Sequence, residues 1–104
     1  MIRHVVLYTY RKDIPDEEIA HIYRDLKKIC ERLPGQLSYT WGKYDESNGL
    51  TMNKGYTHCL VCDFADRAGQ KAFMEDPERV ALSKEQVLPR MVGPDSVISF
   101  DFLV

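Results

Sequence analysis

Side chains along "IRHVVLYTY" (residues 2–10) alternate between two sets that are both largely apolar. Ile2, His4, Val6, Tyr8 and Tyr10 share one face, and Arg3, Val5, Leu7 and Thr9 share the other, because successive side chains of a strand point to opposite sides. The run predicts a strand covered on both faces. The period then lengthens. Ile19, Ile22, Tyr23, Leu26, Ile29, Cys30 and Leu33 recur at helical spacing, which predicts a helix from Pro15 to Leu33. Proline suits its first turn, Asp16, Glu17 and Glu18 complement the positive end of the macrodipole, and Pro34-Gly35 stops it.

A second strand is predicted over residues 37–45, "LSYTWGKYD", and a third over 56–64, "YTHCLVCDF", with the polar "ESNGLTMNKG" between them. "ADRAGQKAFMED" predicts a short helix. "PERVALSKEQVLPRM" predicts another after Pro77, with Val80, Val87, Leu88 and Met91 on one side. The turn "GPDS" leads into a closing strand, "VISFDFLV". The order β-α-β-β-α-β is the split βαβ, ferredoxin-like arrangement: an α+β fold with one four-stranded antiparallel sheet and helices on one face. Its bare face would carry Val5, Leu7, Cys59 and Val61. Monomers rarely leave such a patch in water, so two sheets packed face to face, a homodimer, are expected.

Composition narrows the function classes. At 104 residues one domain spanning 1–104 is expected. A net charge of -2 supplies no field for nucleic acid or an anionic membrane. No apolar run approaches the length of a membrane span, and the "VVLY" run is too short for a leader, so a cytoplasmic location is expected. Three cysteines argue against a disulfide framework. Cys59 and Cys62 fall on opposite faces of the third strand, so their C-x-x-C spacing does not bring the sulfurs together. Phosphate loops and nucleophile elbows are absent, and three scattered histidines make no zinc site.

His4 and His58 both fall on the helix-facing side of the sheet, where imidazoles can exchange protons near neutral pH. The first and third strands should be antiparallel neighbours, which would put the two rings near opposite ends of their ladder. Tyr8, Tyr23, Leu26, Phe73 and Arg79 are the expected lining of an apolar cavity between helices and sheet, with His4 and His58 as its catalytic or polar groups. His21 lies off the helix stripe and should be solvated.

"MIRHVVLYTYR", "LPGQLSYTWGK", "GYTHCLVCDF", "FMEDPERVAL" and the closing "VISFDFLV" together resemble the stress-responsive A/B barrel (Dabb) family over nearly the whole chain. The resemblance implies a dimeric α+β barrel. It also implies a cavity like that of a plant member that cyclises a linear polyketide without a cofactor. His4 and His58 match histidines of that cyclase, and Leu26 matches a pocket tyrosine. Its catalytic His and Tyr positions hold Arg79 and Phe73 here, which argues against the same cyclisation. Plant members hold magnesium through backbone carbonyls after the first helix; the matching positions are Cys30, Leu33 and Gln36. The expectation is a homodimer that binds a small apolar or aromatic, polyketide-like ligand, with acid/base chemistry through the histidines and neither cofactor nor metal. The alternative is a non-catalytic stress-responsive dimer or assembly protein with buried structural histidines.

Overall fold

The computed structural model describes residues 1–104. Strands β1 (Ile2–Tyr8), β2 (Gln36–Lys43), β3 (His58–Phe64) and β4 (Val97–Leu103) form one antiparallel sheet in the order β2-β3-β1-β4. Helices α1 (Asp16–Glu31), α2 (Arg67–Glu75) and α3 (Pro77–Leu82) cover one face. This is the ferredoxin-like arrangement. No helix is long and apolar enough to cross a membrane.

The two largest predicted elements form for the expected reasons. β1 buries Ile2, His4, Val6 and Tyr8 against the helices, while α1 buries Ile19, Ile22, Tyr23, Leu26, Ile29 and Cys30. Leu60, Cys62, Phe64 and Phe73 complete the core. After α1 the chain turns at Gly35, whose φ is +84°, a left-handed conformation that glycine adopts freely. A Cβ there would stand 3.1 Å from the Gly69 Cα, so the glycine pair lets the start of β2 pack directly on α2.

One expected element breaks up. The helix predicted across "PERVALSKEQVLPRM" is helical only to Leu82; Ser83–Val87 widens to a π turn and Leu88–Arg90 tightens to a 3₁₀ turn. Pro89 lacks the N–H that an α-helix would need there. The wide turn keeps Ser83 and Val87 beside the sheet end of α3, where they wall a cavity.

The bare face is more apolar than the central strands alone indicated. Val5 pairs with Val61 and Phe100, Leu7 with Cys59 and Ile98, and Arg3 with Asp63 and Phe102. Phe100 is 65% exposed. At one end Arg3 forks onto Asp63 (2.8 and 2.9 Å), and the Ser38 hydroxyl donates to the same carboxylate at 2.9 Å.

Candidate functional site

His4 sits on central strand β1, directly opposite Asp101 of β4. Facing positions on neighbouring strands place both side chains on the helix side. The His4 Nδ1 lies 2.6 Å from Asp101 Oδ1. The other carboxylate oxygen accepts from the Gln70 amide of α2 at 2.5 Å, and Arg67 stands 3.9 Å away. Burial disfavours the Asp101 charge, but hydrogen bonds from His4 and Gln70, helped by nearby positive charge, hold its carboxyl below the ordinary range. An ionised carboxylate only accepts, so Nδ1–H of His4 donates, and in the neutral ring Nε2 is then the acceptor. The ring is wedged between Phe64 and Phe73, with centroids at 6.4 and 6.2 Å. Its side chain is 4% exposed.

His4 opens onto a cavity of about 170 Å³ between the sheet, α2, α3 and the turns that follow α3. Val6, Leu26, Leu60, Phe73, Leu82 and Val87 make most of the wall, with Tyr8, Ser83, Ser99 and Arg79 as its other polar groups. Arg79 arrives from the first turn of α3, which Asp76 caps by accepting the Arg79 backbone N–H at 3.1 Å. Its guanidinium carbon lies 5.4 Å from the Phe73 ring centre, and Nη2 donates to the Met74 carbonyl at 2.8 Å. Burial pulls the guanidinium below its ordinary pKa. Burial also pushes the Tyr8 hydroxyl above the usual phenol range, so it stays protonated as a hydrogen-bond donor.

Five of the expected site residues therefore meet: His4, Tyr8, Leu26, Phe73 and Arg79 all line this cavity. His58 and Tyr23 do not. The register pairs His4 with Cys62 and Tyr8 with His58. That separates the two histidines by four strand positions, roughly 13 Å, as the antiparallel pairing had implied. His58 belongs to a different group. Its Nδ1 lies 2.8 Å from the Thr57 hydroxyl, and its ring meets Tyr10 edge-on and stacks with Tyr23. Burial and the Lys43 charge, partly offset by Asp16, lower its pKa. Tyr23 is fully buried, stacked on Trp41 at 4.9 Å and hydrogen-bonded through its hydroxyl to Tyr10 at 2.8 Å. Both are packed core residues beside the cavity. A second recess, of about 350 Å³, touches His58 but opens along the bare sheet face among Leu7, Thr40, Cys59 and Val61.

Asp101, like Gln70, Ser83 and Ser99, is a polar site residue that the sequence reading missed. One signal marked it: in "VISFDFLV" alternation puts Asp101 on the helix side, and aspartate is depleted in strands unless something holds it. His21 is exposed, 3.3 Å from Asp25. The cysteines are free; Cys30 and Cys62 are buried, and Cys59 lies on the opposite sheet face. Of the three positions matched to the plant magnesium loop, the Cys30 carbonyl accepts backbone N–H groups from Arg32 and Leu33.

One antiparallel sheet, helices on one face and an apolar cavity beneath them define a ferredoxin-like α+β protein. The chain belongs to the stress responsive A/B barrel domain family, whose model matches residues 2–104. A stress-response A/B barrel domain-containing protein of Arabidopsis thaliana is 26% identical over 81 residues, 78% of this chain and 69% of that protein. The fold also matches a hydroxynitrile lyase from Passiflora edulis, with a TM-score of 0.82 at 19% identity, over 99% of this chain and 92% of that one. A dimeric ferredoxin-like protein of unknown function from Jannaschia sp. CCS1 matches with a TM-score of 0.83 at 19% identity, over 99% and 98%.

Proposed function

We propose that the protein is a homodimer, joined through its bare sheet faces, that binds a small apolar or aromatic, polyketide-like ligand beneath α2 and α3. His4 acts there as a proton acceptor without a cofactor. The observation that carries this reading is the His4–Asp101 pair at the wall of an apolar cavity. A carboxylate on Nδ1 fixes the tautomer and stabilises the imidazolium formed when Nε2 takes a proton, the division of labour seen wherever histidine serves as an oriented base. In an enolisable ligand the proton would pass from carbon to Nε2. The electron pair left behind would move onto the carbonyl oxygen, and the Arg79 cation and Tyr8 hydroxyl would favour that negative oxygen. Support for catalysis on this fold comes from the relative named hydroxynitrile lyase, and support for the dimer from the relative described as dimeric. His58 takes a structural role in this reading, because its ring lies outside the cavity.

The test is hydrogen–deuterium exchange at the α-carbon of ring-sized enolisable ketones in heavy water. The wild type should accelerate exchange; His4→Ala should lose on the order of a hundredfold, and Asp101→Asn should lose less. Exchange and binding no better in the wild type than in His4→Ala, with only thermal stability reduced, would leave His4 a buried structural histidine.

A further inference from the structure

Arg79 differs from every other arginine of the chain. Arg3, Arg11, Arg24, Arg32, Arg67 and Arg90 each have a carboxylate within salt-bridge distance. Arg79 has none. The two acids just before it in sequence are engaged elsewhere: Glu78 pairs with Arg32 at 3.2 Å, and Asp76 is taken by Arg32 at 3.1 Å and by the Arg79 backbone N–H. Of the guanidinium nitrogens, only Nη2 has a protein acceptor, and Nε is shielded from solvent with no partner at all. Half-buried cations are ordinarily paired, because a charge withdrawn from water must recover its lost hydration. Among the residues lining the cavity there is no Asp or Glu. The only carboxylate adjoining it, Asp101, is engaged by His4 and Gln70.

We infer that Arg79 makes this cavity selective for ring-sized organic monoanions: an aromatic or alicyclic carboxylate, carrying its charge at the guanidinium and its ring among Val6, Leu26, Leu60 and Phe73. The inference rests on the small-molecule reading above and names its ligand class. A planar carboxylate supplies acceptors that match the guanidinium fork, which neutral amides and alcohols match less well. Size points the same way. A dry apolar cavity of roughly 150 Å³ accepts benzene, so about 170 Å³ admits one ring with a small head group.

Benzoate and benzamide, nearly identical in shape and different in charge, are the probes. Each is titrated into the wild-type protein, Arg79→Gln and Arg79→Lys, with binding followed by calorimetry and by NMR shifts of the cavity methyls. The wild type should hold benzoate at least about tenfold more tightly than benzamide. Arg79→Gln should erase that preference by weakening benzoate more than benzamide, and Arg79→Lys should restore part of it. Equal binding of the two probes by the wild type would overturn the selectivity and leave the cavity reading standing. Binding of neither, with no shift at cavity residues, would overturn both. If Arg79→Gln fails to fold, the wild-type comparison alone still decides.

Discussion

Replacing Phe100 by alanine should take the proposed sheet-to-sheet dimer apart without unfolding the protomer. The residue is 65% exposed, and its neighbour on the same face is Phe102, with ring centroids 6.4 Å apart. A phenylalanine side chain carries roughly 200 Å² of surface, so roughly 130 Å² stands in water in a lone protomer. Covering that area contributes about 3 kcal/mol per copy at ~25 cal/mol per Å². Alanine keeps part of it, which makes the loss about 2 kcal/mol per copy. A two-fold interface counts every residue twice, so the dimer loses about 4 kcal/mol, on the order of a thousandfold in dissociation constant. This is an upper bound, since it takes the whole exposed area as covered and leaves out the freedom Phe100 loses on ordering at the contact. Sedimentation velocity over a concentration series measures it directly, with circular dichroism confirming that the fold survives. A Phe100→Ala protein that associates as tightly as the wild type would refute the claim that the sheets meet at this face.

Two further outcomes are expected. Thiol titration of the unfolded protein without reductant should find all three cysteines free; a single free thiol would contradict the account. His58 should make stability depend on pH, because burial and then Lys43 hold its folded pKa below the unfolded value. Its contribution is fully present above the unfolded pKa of about 6.5 and is lost as pH falls through the folded pKa. Urea midpoints should therefore drop on acidification more in the wild type than in His58→Asn, and identical slopes would count against it.

Much of this fold is legible from side-chain period. Two-residue alternation in β1 and the helical stripe of α1 each have one consistent solution, and "VISFDFLV" alternates clearly enough to mark β4. What escaped depends on register, which pattern alone does not set. The antiparallel pairing of β1 with β3 already set His4 apart from His58, but His4 gains its partner only because β4 lies on the other side of β1. The strength of the bare face was also understated. Ile98, Phe100 and Phe102 join Val5, Leu7 and Val61 only once β4 is placed beside β1. The break after Leu82 was foreshadowed by Pro89, whereas the π turn before it, which carries Ser83 and Val87 to the cavity wall, left no mark in the side-chain pattern.

The central claim is that His4 is an oriented base opening onto a ligand cavity, and the ring nitrogens of that histidine report on it. Nitrogen-15 NMR of histidine-labelled protein, recorded at alkaline pH, should show the His4 ring as the Nδ1–H tautomer held by Asp101, with an unprotonated Nε2 whose resonance moves when benzoate is added. A ring found as the Nε2–H tautomer, or an Nε2 signal indifferent to any ligand that shifts the cavity methyls, would contradict the account.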